Sequence, residues 1–219
     1  MSTTYLPDPV IVGPAIQKSA RFISWLFHPL MVGLYMASYL IYLDPDFFTG
    51  IGNGARNQIL IIYVINSVFF PILAVLLCRG LGFIQSIYLR TQKERIILYA
   101  ITMIFFFWTF YVFKNKQDTP AIMAQMSLGI FISVIFAFIA NIFLKISMHT
   151  TAAGGLVGLF TVLLYTTTAS VNIPLVTGIF LAGLISSARL LASDHQVREI
   201  IWGLAAGFIA QAVAAWFFN

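Results

Sequence analysis

The sequence predicts an all-α fold: a polytopic bundle of about seven transmembrane helices that forms a single integral membrane domain over residues 1–219. Of the 219 residues, 60% are hydrophobic and only 9% are charged, whereas a soluble domain of this length carries about 25% charged residues. The apolar surplus has to face lipid, and it is concentrated in runs long enough for a helix to cross a bilayer. These runs are apolar on all faces and lack the alternation that a barrel strand would show.

Seven apolar runs justify the number of spans, because a crossing needs about 17–25 residues. In chain order they cover residues 23–43, 59–77, 96–113, 121–144, 152–169, 173–191 and 200–218. Helices are expected because lipid offers no partner to an unpaired backbone group. The last break but one depends on Asn172 and Pro174, which favour a turn in an otherwise continuous apolar stretch.

The residues outside these runs do not indicate a secreted, disulfide-bonded or nucleic-acid-binding protein. The polar segment 1–22 holds three prolines and no uninterrupted apolar stretch, which argues against a cleaved signal peptide. Cys78 is the single cysteine, so no intrachain disulfide can form. The net charge of +5 suits anionic lipid head groups or phosphate. Nucleic acid is not expected as a partner, because no exposed basic domain remains.

Counting spans shows which loops share a membrane face. The face that holds the N-terminus, here called face A, also holds the loops 79–95, 145–151 and 192–199. His28, His149 and His195 all lie toward face A, as do nine of the twelve lysines and arginines. The excess of basic residues favours a cytoplasmic location for face A. The sequence does not decide which side of the membrane face A lies on.

The most informative residues lie between the last two spans, in the pattern Arg189-x5-His195-x3-Glu199. His195 and Glu199 are one helical turn apart, so their side chains can meet. A carboxylate bonded to one ring nitrogen leaves the other as a nucleophile or base, and a guanidinium can hold an oxyanion. The alternative is a snorkelling arginine beside a solvated loop.

Two further groups share face A. In the first, Lys145-Ile146-Ser147-Met148-His149-Thr150 pairs a basic residue with a histidine and precedes a span rich in small residues. Ser147 or Thr150 can cap that helix, whose N-terminus attracts anions. In the second, Lys93 and Arg95 precede the third span, where basic residues usually act as topological anchors. His28 is a weaker candidate for a functional residue, because a histidine there can serve only to hydrogen-bond a neighbour.

These residues resemble the type 2 phosphatidic acid phosphatase superfamily, which includes lipid phosphate phosphatases and haloperoxidase-like enzymes. The pattern ending at Glu199 is similar to the family's third motif, Ser-Arg-x5-His-x3-Asp. The stretch ending at Thr150 is similar to the second, Pro-Ser-Gly-His. The first, Lys-x6-Arg-Pro, is kept only at Arg95, with Ile96 in place of proline and Tyr88 in place of lysine. The resemblance covers residues 90–203.

The resemblance implies a membrane phosphatase that hydrolyses a lipid phosphate or an isoprenoid diphosphate through a phosphohistidine, without metal or cofactor. It implies that His195 attacks phosphorus, that Glu199 orients the ring, and that His149 protonates the leaving oxygen. The residues that would hold the substrate are Arg189, Arg95, Ser147, Lys93 and Thr150. The implied fold is a six-helix core with an extra hairpin at residues 96–144, and the expected location is a bacterial inner membrane.

Departures from the motifs keep other functions open. Ala188 occupies a serine slot and Met148 a glycine slot, so a non-enzymatic lipid-phosphate binder or transporter is the second hypothesis. A metal-dependent enzyme using the three histidines with Asp194 and Glu199 is the third, although no His-Glu-x-x-His pattern supports it. The particular lipid and the oligomeric state are not predicted; phosphatidic acid, phosphatidylglycerol phosphate, lipid A and undecaprenyl diphosphate all fit.

Overall fold

A computed structural model of the protein describes residues 13–44, 46–84, 91–192 and 195–218. All regular structure in those ranges is helical, which confirms the predicted all-α class. Among the described residues, six helices are long and apolar enough to cross a membrane, and the bent pair formed by the first two helices brings the number to as many as seven. The chain is therefore an integral membrane protein built as a polytopic helix bundle.

Nine α-helices follow one another within the described ranges. They are α1 (Pro14–Leu26), α2 (Pro29–Ser38), α3 (Asn53–Val64), α4 (Phe70–Gly80), α5 (Gln92–Asn115), α6 (Ala121–Phe143), α7 (Met148–Thr166), α8 (Asn172–Ala192) and α9 (Val197–Phe218). A π-helical turn, Tyr39–Leu43, extends α2, and another, Ile65–Phe69, joins α3 to α4. The predicted turn near Asn172 is present, since α7 ends at Thr166 and α8 begins at Asn172.

The first predicted span, 23–43, is wrong as a single continuous helix. The structure starts α1 at Pro14, inside the segment expected to be a polar N-terminal stretch, and bends the path by 53° between α1 and α2. The cause is Pro29, which disfavours helical backbone in the preceding residue. His28 accordingly has ψ 142°, and its Nδ1 accepts a hydrogen bond from the Leu30 amide at 3.4 Å, which caps α2.

The π-helical turn between α3 and α4 also has a proline beside it. Pro71 is buried at the start of α4 and has no amide hydrogen to donate. A widened turn just before it accommodates the proline ring and lets Asn53–Gly80 continue as one span of 28 residues. The spacing of apolar residues in the sequence does not reveal a π-helical turn of this kind.

Helices α7 and α9 pack with their backbones in contact, and glycines make this possible. A methyl group at Gly207 would collide with the Thr151 carbonyl oxygen, and one at Gly154 with the Leu204 carbonyl oxygen. Close approach through small residues is the usual way for membrane helices to associate. The contact begins at Gly203, where an added methyl group would collide with the Thr150 hydroxyl.

This packing aligns the face A ends of several helices. The Ser147 amide, just before α7, donates to the Glu199 carbonyl in α9 at 3.3 Å. The Gln92 side chain, at the start of α5, donates to the Asn141 and Ile142 carbonyls near the end of α6. Below these ends, buried apolar side chains from α2, α3, α6, α7 and α8 form the main core, which includes Met36, Tyr63, Met123, Leu159 and Ile185.

Candidate functional site

The centre of the candidate site is a buried imidazole–carboxylate pair. His195 Nδ1 lies 2.7 Å from Glu199 Oε2, and the side chains are only 10% and 9% exposed. Because a carboxylate oxygen accepts hydrogen bonds, Nδ1 is the protonated nitrogen and Nε2 keeps its lone pair. The Gln196 amide donates to the same carboxylate oxygen at 3.3 Å, so Glu199 also completes the first turn of α9.

Burial dominates the protonation of His195, which lies in the loop between α8 and α9. It lowers the pKa of the ring below the ordinary value for histidine, because the cation loses hydration. The positive charges of Arg189 and Lys145 act in the same direction, whereas the hydrogen bond and charge of Glu199 oppose it. His195 is therefore neutral at physiological pH, with Nε2 available to react.

The second histidine, His149, is the second residue of α7. Its Nε2 lies 3.0 Å from the carbonyl oxygen of Ser24 in α1. A carbonyl only accepts, so Nε2 carries hydrogen and Nδ1 is the position at which the ring can gain or lose a proton. Arg189, His28 and His195 are all near enough to interact with this ring electrostatically. The two predicted catalytic histidines therefore lie close enough for their charges to interact.

Ser147 and Thr150 build the start of α7. The Ser147 side chain accepts from the Thr150 amide at 3.5 Å, so Ser147 is the cap that the sequence left undecided between these two residues. The Thr150 hydroxyl donates back to the Ser147 carbonyl at 3.1 Å, and both residues are fully buried. These contacts hold the helix N-terminus in place beside α9, and their predicted contact with substrate stays a prediction.

Arg189 lies in the last turn of α8, where a cation also complements the helix dipole. It is partly exposed and acts on both histidines. The preceding Ala188 is buried, whereas Ser187 is exposed. In the motif Ser-Arg-x5-His-x3-Asp, a serine hydroxyl stands at the position of Ala188, which has none. Ser187 does not replace it, because its side chain is exposed.

Arg95 and Lys93 lie in the first turn of α5. Arg95 Nε donates to Asn141 Oδ1 at 3.0 Å, which links α5 to the end of α6. Lys93 is exposed in the first turn of α5. Within the described ranges, neither is among the charged groups that act on His149 or His195. Their role in substrate binding stays a prediction, and Tyr88 and Asp194 lie outside the described residues.

Two members of this cluster had no assigned role or only a weak one in the sequence analysis. Lys145, in the loop between α6 and α7, acts electrostatically on His195; the sequence grouped it with His149 but gave it no role in binding substrate. His28, which had only a weak claim, places its ring 5.8 Å from the ring of His149 in an edge-to-face arrangement. Pro29 was the available signal for His28, since a bend there turns α1 back toward α7.

No protein-family model, curated protein or solved structure matches the chain. The chemistry of the site therefore has to be argued from its own residues. Face A gathers two histidines with opposite nitrogens engaged, a carboxylate on one of them, and two cations. Among the described residues, no group of three or more histidine, cysteine or acidic side chains has the arrangement of a metal site.

Proposed function

We propose that the protein is a metal-independent membrane phosphatase that removes phosphate from a lipid phosphate or an isoprenoid diphosphate. The observation that carries this proposal is the 2.7 Å bond between His195 Nδ1 and Glu199 Oε2, which leaves Nε2 as a nucleophile in a site that also holds Arg189 and His149. An oriented neutral imidazole beside a guanidinium suits attack on phosphorus better than it suits a purely structural role.

In the first step, Nε2 of His195 forms a bond to phosphorus while the bond from phosphorus to the leaving oxygen breaks. The electron pair of that bond goes to the leaving oxygen, which takes a proton from Nδ1 of His149; His149 gains this proton when the anionic phosphate binds beside it. Arg189 holds the phosphoryl oxygens as they gain charge. Glu199 stabilises the ring of His195 as it becomes cationic.

In the second step, water attacks phosphorus and the phosphorus–nitrogen bond breaks, which regenerates His195. His149, now neutral, accepts a proton from the attacking water, so each turnover restores its starting state. The products are inorganic phosphate and a lipid with one phosphate fewer.

A lipid substrate fits the position of the site. The cluster lies at the ends of transmembrane helices, so an amphiphile can keep its tail in the bilayer while its phosphate reaches face A. The chain uses no cofactor in this scheme. We place the protein in a bacterial inner membrane as part of the same proposal.

The test uses purified full-length protein in detergent micelles with phosphatidic acid, phosphatidylglycerol phosphate or undecaprenyl diphosphate. Wild-type protein should release phosphate, and His195→Ala should lower the rate by at least about 10³-fold. Arg198→Ala is the matched control, because Arg198 is exposed and only three residues from His195. Equal rates for wild type and His195→Ala would rule out His195 as the nucleophile.

A second candidate function is a lipid-phosphate binder or transporter without turnover. The observation that favours it is the bond between Arg95 and Asn141 at 3.0 Å, which engages an arginine that the phosphatase needs elsewhere if all three motifs act. Saturable binding of radiolabelled phosphatidic acid with no release of phosphate would support this function. Turnover that depends on His149 would exclude it.

A further inference from the structure

The loop between α6 and α7 is attached to the residue that orients His195. Lys145 lies two residues before Ser147, whose amide donates to the Glu199 carbonyl at 3.3 Å. The Glu199 side chain in turn bonds the ring of His195 at 2.7 Å. Since Ser147 is fully buried, the backbone next to Lys145 has a fixed position relative to that ring.

Two cations on different elements act electrostatically on His195. Arg189 comes from the end of α8 and Lys145 from the α6–α7 loop, and the charges of both act on the ring. Lys145 is partly exposed in the α6–α7 loop, on the predicted face A. Both positive charges disfavour a protonated, cationic His195 ring. The same two charges favour an anion bound beside the ring.

The chemistry of a phosphoryl group calls for more than one cation. A phosphate monoester carries about −1.5 to −2 charges at pH 7, and this charge spreads over three oxygens during transfer. A guanidinium can bind two of these oxygens as a fork, and an ammonium acts as a compact point charge on a third. Arg189 and Lys145 supply one of each kind.

We propose that Lys145 is a phosphoryl-binding residue of this site, acting with Arg189 on the group that His195 attacks. This inference rests on the proposed phosphatase function and assigns it a cation that the sequence motifs did not identify. Lys145 adds a cation to those predicted at Arg95 and Lys93; Arg95 bonds Asn141 through Nε, and Lys93 is exposed on α5.

The experiment compares Lys145→Ala and Lys145→Arg with the control Arg198→Ala in the phosphate-release assay. Loss of a charged contact to phosphate should lower kcat/KM of Lys145→Ala by about 10- to 100-fold. Lys145→Arg should retain activity within about tenfold of wild type, since it keeps the charge. Arg198→Ala should stay within about twofold, because Arg198 is not among the groups that act on His195. If Lys145→Ala does not fold, Lys145→Met keeps the apolar stem of the side chain and replaces it.

A second measurement separates phosphate binding from a structural role. Removal of a cation beside His195 lets the ring keep its proton to higher pH. In a plot of kcat/KM against pH, the acid limb is the fall in activity as His195 gains a proton. This limb should move to higher pH in Lys145→Ala and should not move in Arg198→Ala. Lower activity with an unmoved acid limb would show that Lys145 only supports the loop, which would overturn the proposal.

The two proposals can fail separately. If wild-type protein releases phosphate and Lys145→Ala has unchanged kcat/KM, only the role of Lys145 is overturned. If the wild type releases no phosphate from any of the lipids, the phosphatase function fails, and equilibrium binding of inorganic phosphate then tests Lys145. Binding at least about tenfold weaker in Lys145→Ala supports the role, and equal affinity overturns it.

Discussion

The carbonyl oxygen of Ser24 in α1 accepts a hydrogen bond from Nε2 of His149 in α7 at 3.0 Å. This bond connects the N-terminal helix to the candidate site and engages one nitrogen of His149. His195 has the opposite nitrogen engaged, because its Nδ1 bonds Glu199. The two rings therefore differ in the nitrogen that can react, Nδ1 in His149 and Nε2 in His195.

The role of His149 as the acid predicts a dependence on the leaving group. His149→Ala should lower kcat for phosphatidic acid by about 10²- to 10⁴-fold, because an alcohol leaving group needs a proton. It should lower kcat for p-nitrophenyl phosphate by less than about tenfold, because that leaving group departs as an anion. Steady-state kinetics on both substrates provides the measurement. Equal losses on the two would show that His149 has another role.

The low pKa of His195 predicts the position of the acid limb. Activity needs the neutral ring, and burial holds its pKa below the ordinary value. The acid limb of kcat/KM should therefore lie below about pH 6.5, the value for a free histidine. On the acid side, activity should fall as the His195 ring gains a proton; on the basic side, it should fall as His149 loses the proton that it donates to the leaving oxygen.

Glu199→Gln tests the partner of the ring. Loss of the carboxylate removes the group that stabilises the cationic ring, so the acid limb should move to still lower pH and kcat should fall by about 10²-fold or more. Since Glu199 also bonds the Gln196 amide, thermal unfolding must be measured on the same variant. A fall in kcat without a shift of the limb would assign Glu199 to helix capping alone.

The contact between α7 and α9 predicts a glycine-specific effect. Gly203→Ala would push a methyl group into Thr150 and the Ser147 carbonyl, which shape the start of α7. Overpacking of this kind costs about 1–3 kcal/mol, so the Tm in detergent should fall by several degrees and phosphate release should fall with it. Gly183→Ala is the matched control, because nothing lies within 4 Å of the position of its added methyl group. Equal Tm values for the two variants would contradict the packing described above.

The bent pair α1–α2 predicts that the two ends of the protein lie on opposite sides of the membrane. With this pair counted as one span, seven crossings separate Pro14 from Phe218. Reporter fusions at each end, with a reporter active in only one compartment, check the number of crossings. Activity of both fusions in one compartment would mean that the bent pair enters and leaves by the same face.

Several features of the fold could be predicted from the sequence because they follow from composition. Long apolar runs give the six long helices, and Asn172 with Pro174 gives the turn between α7 and α8. The bend at His28 was missed because the apolar run is continuous through it, although Pro29 is a local signal. The π-helical turn at Ile65–Phe69 leaves the apolar run unbroken, so no pattern of hydrophobicity reveals it.

The site was predictable where its residues are close in the chain. His195 and Glu199 are four apart, and a helical turn brings them together. The bond of Ser24 to His149 and the effect of Lys145 on His195 were not predicted, because they depend on how α7 packs against α9 and on where α1 turns. Arg95 has a local basic context in the sequence, but its partner, Asn141, lies 46 residues away on another helix.

The most direct test of the central claim is to trap the phosphoenzyme. Wild-type protein mixed with ³²P-labelled phosphatidic acid and quenched within one turnover should carry label that is lost in acid and kept in base, as a phosphohistidine requires, with the labelled peptide containing residue 195. His195→Ala should carry none, and Arg198→Ala should be labelled like the wild type. Turnover of this lipid by the wild type with no trapped label, or label that persists in His195→Ala, would contradict the account.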